Sequence, residues 1–394
     1  MEKQIASEIK SRISKLQKQL NQKNWDGCLL TSNVNLYYYS GTVQVAYLYV
    51  PKEGEPFLFV KKDFKRAREE SPLTNVIKIR KPEDMKDLLA QEGEKTPRKL
   101  GVELAVLPVK TYLRLLSIFA GAEADDVTGI IRRQRAVKSP YEVELIKKTG
   151  QKAAEVFNNF PKLIKAGLKD YELAAKVEYE FRKAGHIGLI RTHGMNQDFF
   201  FGQVLVGENG VIPPTYDIAL GGFGLTPAFP VGTQGTVIEQ NQPILIDYVA
   251  NFNGLNVDIT RTFSIGPLPA EQQKAYEVAR EIQEKIIEIA KPGIKCGALY
   301  DLALEIATKN GLERNFMGYS QQAKFVGHGI GLELNELPVL ASKFELELLP
   351  GMVVAIEPKF VFPQKGAVGL ENTFVMGEKG LEKVTPLKDE NIIV

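Results

Sequence analysis

Five residues in the second half of the chain have side chains that could share a cation. Asp247 interrupts the apolar run Pro243–Val249, and Asp258 lies within a second strand-like run, Leu255–Ile265. Asn253-Gly254 between them is a strong hairpin signal. A two-residue turn there pairs residue 252 with 255, and so Asp247 with Thr260. Asp258 is two residues from Thr260, which puts it on the same face as Asp247. Two carboxylates so placed repel each other unless a proton or a cation lies between them, and burial among Ile244, Leu245 and Ile246 raises the cost. A pair of exposed strand aspartates is the plainer alternative.

The second half of the chain repeats the theme. Glu357 lies in a strand-like run over Met352–Phe360, and Glu371 in another over Val368–Met376. The turn Pro363-Gln364-Lys365-Gly366 joins them. A three-residue or bulged loop puts the two glutamates on one face, and a flush four-residue loop does not. His328 lies in Gly327-His328-Gly329-Ile330-Gly331, where glycines permit close backbone approach. A lone histidine is more often structural, and His186 and His193, the other two in the chain, read as ordinary. Four carboxylates and one imidazole form an oxygen-rich donor set. It suits Mn²⁺, Co²⁺ or Fe²⁺ better than a thiolate zinc site, with Zn²⁺ a further option. Five such ligands suit two divalent ions a few ångströms apart, an arrangement that activates water.

These residues need a frame. Residues 4–22 carry isoleucines and leucines at helical spacing. Short apolar runs follow at Cys28–Leu30, Leu36–Tyr39, Val45–Val50, Phe57–Val60 and Leu100–Val106, and read as strands. The expectation is a small α/β domain over residues 1–130 and a second domain over 137–394. Arg132-Arg133-Gln134-Arg135 reads as a solvated linker. Ser139-Pro140 with Glu142 is a helix start. The second domain holds an internal duplication: Lys165, Gly167, Lys169, Leu173, Lys183 and Gly185 recur as Lys291, Gly293, Lys295, Leu299, Lys309 and Gly311. Two similar halves about a pseudo-twofold leave a cleft between them as the natural ligand site.

Composition narrows the function. The 394 residues are 44% hydrophobic and 25% charged, as in ordinary globular proteins, and their number suits two domains. Fifty basic residues against 48 acidic ones show no basic excess of the kind that nucleic-acid binding uses. Cys28 and Cys296 form no C-x-x-C pair, and no apolar run reaches the roughly 18 residues of a membrane span. The expectation is a cytoplasmic protein with neither nucleic-acid nor membrane partners.

The ordered set Asp247, Asp258, His328, Glu357, Glu371 resembles that of the pita-bread metallopeptidases, which include methionine aminopeptidase, aminopeptidase P, prolidase and creatinase. The resemblance covers nearly the whole chain. It implies an α+β fold with a pita-bread catalytic domain behind a creatinase/prolidase-like N-terminal domain. It also implies a dinuclear metal-dependent hydrolase of Xaa-Pro type, bridged by Asp258 and Glu371. Asp247 would serve one ion, and His328 with Glu357 the other, Glu357 also taking the proton of the attacking water. The resemblance further implies a homodimer, with each N-terminal domain near its partner's active site. The chain departs from the pattern in three places. Asn335 stands where the relatives have a second histidine, Val339 where prolidases often have an arginine, and Val211–Tyr216 lacks an expected histidine. Asn335 is therefore a candidate catalytic hydrogen-bond donor, and Arg191, Arg261 and Tyr216 are candidate substrate contacts. The departures keep two alternatives open: hydrolysis or lyase chemistry on a non-peptide small molecule, and a non-catalytic binding module.

Overall fold

The computed structural model describes residues 2–197, 200–216 and 218–394. The chain divides into two units, Met1–Arg135 and Ala136–Val394. The first is built on a six-stranded sheet. Its order is Asn75–Lys78, Phe57–Val60, Ala46–Pro51, Gly27–Leu30, Lys99–Val102, Glu123–Asp126. Ala46–Pro51 is antiparallel to both of its neighbours, and the other three pairings are parallel. Helix Glu2–Gln22 buries Ile9, Ile13, Leu16 and Leu20, the stripe its spacing predicts.

Two local expectations are corrected here. Leu36–Tyr39 is helical, within Asn33–Ser40. Ser32 caps the helix start by accepting from Asn35 N, and Gly41 ends it in the left-handed conformation. A four-residue apolar run has no period long enough to tell strand from helix, so the caps decide. Arg132–Arg135 is no solvated linker but part of helix Thr128–Ala136. Arg135 is buried and donates to Asn35 Oδ1.

The second unit opens on helix Pro140–Phe157, closed by a capping box between Ser139 and Glu142. Two helix pairs then mark the duplication: Pro140–Phe157 with Asp170–Lys183, and Ala270–Ile289 with Cys296–Lys309. The duplicated glycines share backbone geometry, with φ of 87° and 91° at Gly167 and Gly293 and 93° and 72° at Gly185 and Gly311. Gly167 N donates to Ile238 O and Gly293 N to Leu348 O, each at 2.9 Å. The repeat is thus one of structure as well as of letters. The main core of this unit packs the second helix pair against the strands that follow it.

Those strands form two sheets and a ribbon. One sheet runs Glu336–Ala341, Phe325–Gly329, Val353–Ile356, Asn372–Met376, Leu381–Lys383. The other runs Ile392–Ile393, Asn256–Ser264, Ile244–Asn251, Gly202–Val206. The ribbon pairs Lys359–Phe362 with Gly366–Gly369. The sheets meet where Thr260 and Glu371 exchange backbone hydrogen bonds, and Asp258 N donates to Thr373 Oγ1 at 2.8 Å. This is a mixed α/β pita-bread architecture.

Candidate metal centre

The hairpin Ile244–Asn251/Asn256–Ser264 has the register its alternation predicts, with Asp247 opposite Thr260. Its connection is longer than a two-residue turn. Pairing stops at Asn251 with Asn256, and the loop closes where Asn251 Oδ1 accepts from Gly254 N, Gly254 taking a φ of 97°. Asp247 and Asp258 therefore reach the same cavity from one face.

The second carboxylate pair arises differently. The two long strands predicted at Met352–Phe360 and Val368–Met376 each break, after Ile356 and before Asn372. Phe362 pairs with Gly366 across a three-residue loop, and the same register resumes beyond the break at Ile356 with Asn372. Glu357 and Glu371 fall at opposite positions in the gap and turn into the same cavity.

His328 reaches them from strand Phe325–Gly329. Its Nε2 lies 3.6 Å from Glu357 Oε1 and 3.9 Å from both Asp258 Oδ2 and Glu371 Oε1. Its Nδ1 is 3.1 Å from Gly329 O, which can only accept, so Nδ1 donates there and Nε2 is the nitrogen turned toward the carboxylates. Asp258, His328 and Glu371 each offer one ligand atom, all within 4.8 Å of one another. Glu371 Oε1 is buried and has no hydrogen-bond partner. A buried carboxylate oxygen without a donor is unfavourable until a cation enters. The donors fit a divalent ion.

Charge in this cluster is unbalanced. Burial, then the neighbouring charge of Asp247, holds Asp258 well above the usual carboxylate range. Burial and Asp258 do the same to Glu371. One positive group is already present. Lys359, 1% exposed, donates from Nζ to Glu357 Oε2 at 2.6 Å, Asp247 Oδ2 at 3.0 Å and Glu371 Oε2 at 3.2 Å. Burial would lower its pKa, but the three carboxylates outweigh burial and raise it well above the ordinary lysine value. The motif reading missed Lys359. The signal was present, since Lys359 is two residues from Glu357 and strand periodicity puts the two on one face.

Around the carboxylates the cavity is lined by Thr192, Gln197, Gln203, Leu334, Asn335 and Val339 among others. Both ends of the Asn335 amide are engaged by one residue. Oδ1 accepts from His193 N at 2.6 Å, and Nδ2 donates to His193 O at 2.9 Å. Glu336, also on the wall, is paired with buried Lys138 at 3.0 Å. Arg261 does not reach the cavity. It is fully buried and donates to the backbone oxygens of Lys388, Thr260 and Glu371 and to Asn372 and Asp389. Its neighbours in the strand, Thr260 and Thr262, alternate with it, so it points away from the Asp258 face. Arg191 is seated by its carbonyl, which accepts from Leu334 N, and neither its side chain nor Tyr216 belongs to the cavity wall.

A family model described as metallopeptidase family M24 matches residues 144–378, and one described as the creatinase/prolidase N-terminal domain matches residues 12–137. The chain is 30% identical to an Xaa-Pro dipeptidase of Pyrococcus furiosus, over 97% of this chain and 99% of the relative. It is 30% identical to an Xaa-Pro dipeptidase of Pyrococcus horikoshii, over 98% and 99%. Among solved structures, the prolidase from Pyrococcus horikoshii OT3 superposes with a TM-score of 0.80 at 27% identity, covering 96% of this chain and 99% of that one.

Proposed function

The chain belongs to metallopeptidase family M24, and on that premise we propose that it hydrolyses Xaa-Pro dipeptides with a metal-activated water. Membership makes it a metal-dependent peptidase. The observation that carries the site assignment is the convergence of Asp247, Asp258, His328, Glu357 and Glu371, with Glu371 Oε1 left facing His328 Nε2. Asp258, His328 and Glu371 would hold a divalent ion, with Asp247 and Glu357 completing the set. Mn²⁺, Co²⁺ or Fe²⁺ suits this donor chemistry. A divalent ion bound there lowers the pKa of water and polarises the scissile carbonyl. Glu357, at the edge of that cluster, is the group placed to accept the water's proton. Asn335 acts as a wall residue that fixes the His193 backbone. Val339 offers the substrate a hydrophobic contact where a guanidinium would offer charge. The reading extends to a cytoplasmic homodimer, which the resemblance to prolidases supports. Light scattering at micromolar concentration tests the dimer.

The substrate test is direct. Full-length protein loaded with Mn²⁺, Co²⁺ or Fe²⁺ is offered Xaa-Pro dipeptides, Xaa-Pro-Xaa tripeptides and Xaa-Ala controls. Cleavage confined to Xaa-Pro dipeptides is the expected result. Cleavage of none of them rejects the peptide reading and directs attention to small non-peptide amides, which Asn335 and Val339 would then explain.

A further inference from the structure

We propose that Lys359 supplies one of the two cations for which this ligand set is built. The chain then binds one divalent ion tightly, between Asp258, His328 and Glu371, and Lys359 excludes a second. The inference deepens the metal centre proposed above and rests on that reading.

The argument is geometric. Five ligands with a shared carboxylate suit two ions. In this chain they divide into two groups around two positions. Asp258 Oδ2, His328 Nε2 and Glu371 Oε1 face one position, at which Glu371 Oε1 has no donor. Asp247 Oδ2, Glu357 Oε2 and Glu371 Oε2 face the other, and Lys359 Nζ lies 2.6–3.2 Å from all three. Glu371 spans both positions, one oxygen to each. Its second oxygen also accepts from Thr260 Oγ1 at 2.8 Å, which fixes the carboxylate in this spanning pose. A metal ion bonded to the same three oxygens would sit about 2.0–2.2 Å from each. It would overlap the ammonium and bring two positive charges together.

Nor can the lysine yield easily. Its side chain is 1% exposed, and Lys359 begins the ribbon strand paired to Gly369. Its backbone oxygen accepts from Met317 N at 2.8 Å. Three charge-assisted hydrogen bonds in a buried site are among the strongest contacts a lysine makes. Expelling the ammonium would move its whole aliphatic stem out of a packed interior.

The test is metal stoichiometry of the full chain. Wild-type protein and Lys359→Met, both produced with Mn²⁺, are stripped with chelator, titrated with Mn²⁺ by calorimetry and assayed for retained metal after dialysis. The expected result is one tight equivalent in the wild type and two in Lys359→Met, the second at least tenfold tighter than any second event in the wild type. Two tight equivalents in the wild type overturn the proposal, as does a single equivalent in both proteins. If the variant does not refold, Mn²⁺-soaked wild-type crystals decide. One anomalous peak beside His328 supports the proposal, and a second peak among Asp247, Glu357 and Glu371 overturns it. The outcomes separate this inference from the substrate reading. One bound ion without Xaa-Pro cleavage rejects the substrate and keeps the lysine's role, two tight ions with cleavage do the reverse, and no bound ion rejects both.

Discussion

Glu357 and Glu371 stand opposite each other across a gap in a hairpin whose register is unbroken on either side. Neither residue belongs to a strand, yet the ladders beyond both ends of the gap fix where each one points. Their own backbones are tied sideways, Glu357 N donating to Val326 O at 2.9 Å and Glu371 N to Thr260 O at 3.0 Å, so both carboxylates are held from two directions. That arrangement suits metal ligands, which must keep their positions while their charges repel.

Asp258→Asn removes one of the three ligands around the position beside His328. Metal retained after dialysis should fall to near zero, and hydrolysis should fall by at least about 100-fold. Mass spectrometry of the dialysed protein measures the first and steady-state kinetics the second. Full metal content in this variant would move the ion elsewhere.

Glu357→Gln keeps shape but cannot accept a proton. It should lower kcat by about 10²–10⁴-fold and change KM little. A large rise in KM with kcat preserved would make Glu357 a substrate contact instead.

Arg261→Met deletes a fully buried guanidinium whose nitrogens serve five acceptors, Glu371 O among them. Leaving those acceptors without donors should cost about 3 kcal/mol or more. The midpoint of urea unfolding should fall accordingly. Unchanged stability would contradict the anchoring role.

His186 gives the fold a pH dependence. Its Nδ1 accepts from Gly188 N at 2.9 Å, so the neutral ring carries its proton on Nε2 and donates to Val249 O at 3.0 Å. A second proton has no place to go. Burial first, with the Arg182 charge and against the opposing hydrogen bond to Val249, lowers the pKa to about 4. In the unfolded chain the ring titrates near 6.5. The unfolded state therefore binds more protons between these values. Stability from this group is complete above about pH 6.5 and is lost as pH falls toward 4, at up to about 1.4 kcal/mol per pH unit. Denaturation midpoints across that range should show the slope, and His186→Gln should flatten it.

Asn335→Ala should disturb binding more than chemistry. It frees both backbone hydrogen bonds that hold His193 beside the cavity. A severalfold rise in KM with kcat within about threefold is expected. A collapse of kcat would return Asn335 to direct catalysis.

The sequence disclosed this site unevenly, for physical reasons. Asp247 and Asp258 were legible because strand alternation fixes a register, and that register survived a loop of a different length. Glu357 and Glu371 depended on a loop length that Pro363-Gln364-Lys365-Gly366 leaves ambiguous. The break between strand and ribbon has no local signal beyond Pro358. Lys359 was hidden by its type. A lysine in a strand reads as solvent-facing, and only its alternation with Glu357 places it inside. Arg261 misled in the opposite direction, because an arginine near acidic residues invites a substrate role, whereas its partners are mostly carbonyl oxygens. The helix at Asn33–Ser40 was masked by three consecutive tyrosines and revealed by its caps.

The duplicated helix pairs set their glycines at positive φ in both copies, so this part of the scaffold is repeated. The charges mounted on it are not. An imidazole stands at one end of the acidic cluster and an ammonium at the other. The cleft consequently has a head and a tail that its frame lacks. A dipeptide also has unlike ends, one cationic and one anionic. The same molecule reversed would meet different partners along the cluster, so its two orientations in this cleft are not equivalent.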